Sequence, residues 1–447
     1  ANNFGINKSD LPNIGKMDEE QKINESTEYR IIGMTLETRP DFVTKKSIID
    51  YRKYGVTRIQ IGVQHYDDII LKKINRGCYT RDTIKSIRLL KQAGYKVVVH
   101  LMPDLPGSSP KSDEWMFNEA INNPDLQFDD IKIYPTAICK SHDDNHIVVS
   151  EIAKWYEDGT YKPYAEENLD DLIDVISNYL ANIKPWVRVQ RCIRDIPAVS
   201  IEAGYKKKSN LAQIIKDKMI KFDNSNGNTN TYEIRSMEVR NNEYNNYKPR
   251  LVVRQYIASK GLEYHISIEV YKENIYQKIN YYFWTFIMFV YNLMFYTLLY
   301  EYFPKWYFDG SPNFNNCYVG LFGFLRLRID PQPGGDFITE LANSALIREV
   351  HVYGNSLSIS DRDTSSQQHK GYGKLLIKTA EEISNNHGYN KISVISGIGT
   401  KLYYKDKCGY DYNGSYMTKN IYEYTIFKIL TRQLVIILFI FIINLTY

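Results

Sequence analysis

The stretch Gln368-His369-Lys370-Gly371-Tyr372-Gly373-Lys374 opens an amphipathic pattern with two closely spaced glycines. Glycines at that spacing leave backbone N–H groups uncovered at a helix N-terminus, where they and the helix dipole can hold a pyrophosphate. A glycine-rich helix cap is the plainer alternative. The run Arg348-Glu349-Val350-His351-Val352-Tyr353 precedes it, and Gly397-Ile398-Gly399-Thr400-Lys401-Leu402-Tyr403-Tyr404 follows. Polar groups also sit just after apolar runs, in Glu37-Thr38-Arg39-Pro40, in Gln64-His65 and in Met102-Pro103-Asp104-Leu105-Pro106-Gly107. The basic residues Arg188, Arg191, Arg194, Lys206, Lys207 and Lys208 have the charge to meet phosphates, with a solvated basic face as the alternative. His100 and His351 lie within strand patterns and read as hydrogen-bonded core histidines, not metal ligands. Cys78, Cys139, Cys192, Cys317 and Cys408 are odd in number and scattered. That argues against a disulfide scaffold and against a short-spaced metal or cluster motif, and a reducing, intracellular setting is expected.

Positioning these groups takes more than one module. At roughly 150 residues per domain, 447 residues predict two or three domains, and a net charge of +4 is too slight to argue nucleic-acid binding from bulk charge. Residues 1–30 are polar and read as a flexible lead-in. Apolar runs at 31–36, 58–63, 96–101 and 130–134 predict strands, separated by helical stretches at 41–54, 67–74, 82–93 and 113–121. Continuous Val/Ile runs at that spacing imply repeated β-α units and a parallel sheet, whose active face lies at the C-terminal ends of the strands. Residues 151–235 read as a helical extension containing a linker at 220–230. Strand patterns at 251–258, 263–270, 319–329 and 345–353, a helix at 374–387 and a strand at 391–396 then predict an antiparallel, α+β second module. Leu376, Ala380 and Ile383 give that helix one apolar face. Residues 281–300 are twenty residues without a formal charge, long enough to cross a membrane. A crossing there would split one sheet across a bilayer, so a surface-packed insertion or translated intron is the preferred reading of 271–316. The apolar end of the 426–447 tail is short for a span, and a tail anchor is an open alternative.

The motif 368–374 fits the Q/R-x-x-G-x-G/A pattern of acetyl-CoA-dependent N-acetyltransferases. The chain as a whole resembles the family of Elongator catalytic subunits, which join a radical S-adenosylmethionine (SAM) domain to such an acetyltransferase domain. The resemblance rests on TLETRPD (35–41), TRIQIGVQ (57–64), NRG (75–77), AGYKVVVHLMPDLPG (93–107), IKIYPT (131–136), RVQRCIRDIP (188–197), LFGFLRLR (321–328), REVHVYG (348–354), QHKGYGKLL (368–376) and ISVISGIGTKLYYKDKCGY (392–410). It implies a partial radical-SAM β/α barrel over 31–150, the extension 151–235 and an acetyltransferase domain over 236–425. The implied reaction is carboxymethylation of the tRNA wobble uridine at C5, drawing on acetyl-CoA and a SAM-derived radical.

The resemblance also assigns residues. Glu349, Val350, His351 and Val352 are expected along the pantetheine arm of acetyl-CoA, Gln368, Gly371, Tyr372, Gly373 and Lys374 around its pyrophosphate, and Tyr404, with Tyr403, at the thioester. Glu37, with Gln64 nearby, is the candidate for SAM, an ion pair of Glu37 with Arg39 being the plainer reading. Arg188, Arg191, Arg194 and Lys206–Lys208 are expected on tRNA, and other Elongator subunits are expected partners. A [4Fe-4S] cluster is expected of the family, yet its three cysteines would lie upstream of TLETRPD and this chain has none before Cys78. Thiolates are needed to hold such a cluster, so an N-terminally incomplete chain is the expectation. Two other functions stay open: lysine acetylation of a protein such as a histone, and a non-catalytic remnant that binds tRNA and acetyl-CoA. The expected location is the cytoplasm or nucleus, or the cytosolic face of an intracellular membrane if the tail is an anchor.

Overall fold

The computed structural model describes residues 16–139, 150–194, 196, 200–205, 210–226, 233–239, 249–271, 318–353 and 371–421. The insertion 281–300, Lys206–Lys208, Gln368 and the C-terminal tail lie outside the described residues. Among the described residues no helix is long and apolar enough to cross a membrane.

Five parallel strands form the first sheet: β1 (Met34–Thr38), β2 (Val56–Gln64), β3 (Lys96–Leu101), β4 (Asp130–Ile133) and β6 (Arg188–Cys192), in the order β1-β2-β3-β4-β6. Between β4 and β6 the chain makes β5 (Ile138–Cys139), which pairs with β7 (Ile201–Ala203) in a separate ribbon. The helices between strands start and stop where local chemistry dictates. Thr44 and Ser47 form a capping box for the helix Lys45–Lys53, and Ser109 and Ser112 do the same for Pro110–Asn122, with Pro110 in the first turn. Gly94 takes φ +88° just past the helix Thr80–Gln92, a conformation that costs glycine little. On β2 and β3, Ile59, Ile61, Val63, Val97, Val99 and Leu101 pack under these helices. The alternate residues Arg58, Gln60, Gln64, Lys96 and His100 face the other way, because side chains alternate along a strand. That inner face is polar.

The second sheet has seven strands: β8 (Arg250–Ala258), β9 (Gly261–Tyr271), β10 (Tyr318–Ile329), β11 (Ala345–Val352), β12 (Lys391–Val394), β13 (Asp411–Asn413) and β14 (Tyr416–Asn420). Their order is β13-β14-β12-β11-β10-β9-β8, antiparallel except for the β11–β12 pair. Helix Tyr372–Asn386 lays Leu376, Ile377, Ala380 and Ile383 on Ile266, Leu325, Leu327 and Ile347. Each large side chain so buried is worth roughly 1.5–3 kcal/mol relative to exposure.

Three expectations are corrected. Residues 151–235 are not only a helical extension, since β6 completes the first sheet; its polar residues turn to the inner face, so no apolar run announces it. Helix Leu211–Asn226 occupies most of the expected linker 220–230. The lead-in 1–30 contains the helix Met17–Ser26, docked by Glu25 on Lys401 Nζ at 3.0 Å and on the Tyr412 hydroxyl at 2.5 Å.

The two modules meet over buried charge. Strand β11 bulges at Arg348: Arg326 faces Glu349 while Leu327 faces Ile347, leaving Arg348 unopposed. The extra residue lets Arg348 and Glu349, consecutive in sequence, both reach the first module. Arg348 grips Asp129 Oδ1 at 2.5 Å and Glu263 Oε2 at 3.0 Å, and its Nη1 donates to the Tyr95 carbonyl at 2.7 Å. Lys91 lies 3.3 Å from Asp129 and 3.7 Å from Glu263. Glu349 bridges Lys96 at 2.7 Å and Arg326 at 2.9 Å, and Lys96 also meets Asp130 at 3.1 Å. Leu346, Ile395 and Tyr416 of the second module join the core of the first.

This network predicts acid sensitivity. Burial alone would raise the Glu349 carboxyl, but the charges of Lys96 and Arg326 outweigh it and hold the group down to about 2, against an ordinary 4.5. Burial opposes and the Arg348, Lys91 and Arg326 charges prevail in the same way at Asp129, which is held well below its usual range. The unfolded chain therefore takes up these protons first. The stabilisation is complete above about pH 4.5 and is lost as pH falls toward 2. In urea denaturation the loss of stability below about pH 4.5 should be shallower in Glu349→Gln than in the unaltered chain; an identical acid slope in the two would contradict this.

Candidate functional site

Strands β11 and β12 pair only from Ala345–Ile392 to Ile347–Val394, with a last bond from Ile395 N–H to the Ile347 carbonyl at 3.2 Å. Beyond it β11 runs on to Val352 while the chain after β12 turns away through Ser396 and Gly397. The parting of two parallel strands leaves backbone groups of β11 without a partner from β12, a slot suited to an extended chain bearing amides. The slot ends in a cavity of about 500 Å³. Glu349, Val350, His351, Ser396 and Tyr404 line it from the second module, and Thr35, Arg58, Lys96 and Arg188 from the first.

At the slot's other side, helix Tyr372–Asn386 begins at Gly371, which has φ +79° and no side-chain cap. Among the described residues a Cβ on Gly371 would meet nothing within 4 Å, and Lys374 is exposed beside it. A Cβ on Gly373 would come within 2.8 Å of the Tyr403 hydroxyl. Tyr372 contributes its backbone there, because its ring is buried against Phe322. The paired tyrosines thus divide: Tyr403 is half-exposed beside the helix start, and Tyr404 is buried at the cavity. Burial raises the Tyr404 hydroxyl well above its ordinary value, with neighbouring Tyr403 and Cys408 adding to the effect, so it keeps its proton. His351 is exposed at the cavity, its ring tilted against Tyr353 with centroids 4.3 Å apart, which corrects the expectation of a core histidine. Gln368 lies outside the described residues.

The inner face of the first sheet carries the second set. Gln60 Oε1 accepts from Lys132 Nζ at 2.5 Å and from His100 Nε2 at 3.0 Å. Because Gln60 offers a carbonyl oxygen, the network assigns the His100 proton to Nε2. Desolvation lowers His100 to about 4 despite Glu37, whose Oε1 is 3.5 Å from Nδ1, so the imidazole is neutral at pH 7. Arg39 pairs with Asp41 at 2.5 Å and not with Glu37, whose side chain is 62% exposed. Gln64 stands at the end of β2 with φ +75°, and its Oε1 is buried with no hydrogen-bond partner. Glu37 pairs in register with Gln60, so Gln64 lies four residues further along β2; an orphaned acceptor and an exposed carboxylate at this end of the sheet are groups that suit a ligand bearing an ammonium group. Arg191, within β6 opposite Lys132, and Arg194, just past its end, are exposed near Tyr134. Arg188 is not with them: it lies at the cavity and pairs with Glu238 at 2.6 Å. The described residues offer no fit for an iron–sulfur cluster. Cys78, Cys139, Cys192 and Cys408 are all free thiols, and no three His, Cys, Asp or Glu side chains converge.

The residues absent from the sequence expectations are Arg58, Gln60, Lys96, Lys132 and Ser396. Polar Arg58 and Gln60 alternating with Ile59 and Ile61 were the available signal for an inner polar face.

Residues 5–118 match the Radical SAM superfamily, and residues 128–221 match the Radical_SAM C-terminal domain. The second match includes β6, in line with its place in the first sheet. Elongator complex protein 3 of Danio rerio is 32% identical over 404 residues, covering 90% of this chain and 62% of that protein. The tRNA uridine(34) acetyltransferase of Methanocaldococcus infernus is 35% identical over 417 residues, covering 91% of this chain and 65% of that protein. The solved structure of the archaeal Methanocaldococcus infernus Elp3 with an N-terminal deletion superimposes with a TM-score of 0.70 at 35% identity, covering 90% of this chain and 81% of that one. The chain spans about three fifths of the length of the curated Elongator proteins it matches.

Proposed function

Because this chain belongs to the Elongator complex protein 3 family, we propose that it serves the modification of tRNA at the wobble uridine, with acetyl-CoA as the carbon donor. The observation that carries the proposal is that the cavity beside the parting of β11 and β12 is lined by both modules, so an acyl end placed there faces the radical-SAM-type sheet. In this scheme the amides of Gly371–Lys374, with Gln368, hold the pyrophosphate, and Glu349–Val352 run beside the pantetheine arm. Tyr404 holds a proton for the sulfur. Glu37 and Gln64 hold the amino group of S-adenosylmethionine; its reductive cleavage to a hydrogen-abstracting radical would take an electron that no described residue of this chain supplies. No step is assigned to an iron–sulfur cluster. Arg191 and Arg194, with Lys206–Lys208, meet tRNA phosphates, and other Elongator subunits are the partners. Lysine acetylation is the weaker alternative, since an acyl end in this cavity lies against residues of the first module, where a peptide amine would have to reach it.

The test is isotopic. The gene for this protein is placed in cells lacking their own enzyme of this family, with acetate labelled at the methyl carbon. Mass spectrometry of tRNA nucleosides should find the label in a C5 carboxymethyl group on the wobble uridine. Folded protein with unmodified uridine contradicts the proposal.

A further inference from the structure

Four cations line the cavity between the modules: Arg58, Lys96, Arg188 and Arg348. Three are neutralised within the protein. Lys96 has Glu349 and Asp130, Arg188 has Glu238, and Arg348 has Asp129 and Glu263. Arg58 differs. Its Nε donates to the Thr35 hydroxyl at 2.7 Å, and among the described residues it forms no ion pair. The Thr35 bond fixes the plane of the guanidinium and leaves its terminal N–H groups for a ligand. Ser396, also at the cavity and only 2% exposed, has a hydroxyl with no hydrogen-bond partner. A half-buried cation without a counter-ion and a buried hydroxyl without a bond, facing one cavity, form an unfilled site for a planar anion.

Resting on the function proposed above, we propose that Arg58, aided by Ser396, is the carboxyl-binding subsite for the acyl end, holding the carbonyl oxygen of the thioester and then the carboxylate that its hydrolysis leaves. In that hydrolysis the oxygen of a water molecule bonds to the thioester carbon, and the carbonyl π pair moves onto the oxygen facing Arg58. That pair returns, the C–S bond breaks, and the sulfur leaves with the bonding electrons and takes the Tyr404 proton. One proton of the water restores Tyr404 and the other passes to solvent, leaving a thiol and a carboxylate. The carboxylate stays paired with the guanidinium. Arg58 touches the reacting oxygen and is in that sense catalytic.

The probe is S-carboxymethyl-CoA, a thioether that is not hydrolysed, compared with S-ethyl-CoA and CoA by calorimetry. The unaltered chain should prefer the carboxymethyl over the ethyl compound by about tenfold, the scale of a charge-assisted bond. Arg58→Met should abolish the preference and Arg58→Lys should keep part of it, with affinity for CoA itself within about twofold in both. A preference that persists in Arg58→Met, or that is absent from the unaltered chain while CoA binds, overturns the subsite and leaves the acetyl-CoA site standing. Arg58→Met losing CoA itself also overturns it, by making Arg58 a structural residue. If no CoA compound binds the unaltered chain, the acetyl-CoA reading fails, and the subsite fails with it.

Discussion

A Gly373→Val chain will lose acetyl-CoA binding by about 100-fold or more, while remaining folded. The expectation follows from where the missing side chain would go. A Cβ at 373 would sit 2.8 Å from the Tyr403 hydroxyl and 3.8 Å from Val352 Cγ2, between the start of the helix and the end of β11. Valine adds two further methyl groups there, on the side where a pyrophosphate must approach the helix amides. Losing two charge-assisted N–H bonds at roughly 1.5 kcal/mol each gives about 100-fold. Gly371 offers the contrast, because among the described residues a Cβ there meets nothing within 4 Å and the cost is the strain of φ +79°. Gly371→Ala is therefore expected to weaken stability by about 1 kcal/mol and leave binding nearly intact. Calorimetric titration of the Gly373→Val chain with acetyl-CoA decides the matter, with circular dichroism confirming the fold. Unchanged affinity would remove the 371–374 turn from the site.

Breaking the buried lock between the modules should be the largest single loss of stability. Arg348 is 3% exposed and holds two carboxylates, Asp129 and Glu263, that are themselves fully buried. Arg348→Met leaves both with fewer counter-charges in a medium of low dielectric, a change that costs about 3–5 kcal/mol in comparable buried pairs. Asp129→Leu should cost a similar amount, because it strands Arg348, Lys91 and Arg326. The double variant should be much less destabilised than the sum of the two, since each change removes the other's unpaired charge. Urea unfolding of the four chains gives the coupling directly. Additive losses, or a loss under 1 kcal/mol in Arg348→Met, would show that the network does not hold the modules together.

The same residues explain what the sequence disclosed. The strands β2 to β4 were legible because their outward residues form Val/Ile runs bounded by capping serines, threonines and glycines, whereas β1 begins three residues after the start of the apolar run expected to form it, with Ile31 and Ile32 exposed outside it. Strand β6 was not, because RVQRC places its polar residues on the inner face and so reads as a basic stripe. Its members then separate in space: Arg188 turns to the cavity and Glu238, while Arg191 and Arg194 stay exposed. The hairpin of β13 and β14 turns through Gly414-Ser415, with Gly414 at φ +58°, a recognised two-residue turn signal that could have been read. The docking of Met17–Ser26 could not, since its anchor Glu25 finds Lys401 and Tyr412 across nearly the whole chain. For the site, Gly371, Gly373 and Tyr404 were legible as contiguous motifs. Arg58, Lys96 and Ser396 were not, because the cavity that unites them exists only once two modules pack.

A structure of this chain with a non-hydrolysable acetyl-CoA analogue would put the arrangement to its most direct test. The pantetheine arm should follow β11 past Val350, and the acyl carbon should lie in the cavity between Tyr404, Ser396 and Arg58. An acyl end directed to the outer surface of the seven-stranded sheet, open to a peptide and away from the radical-SAM-type sheet, would contradict it.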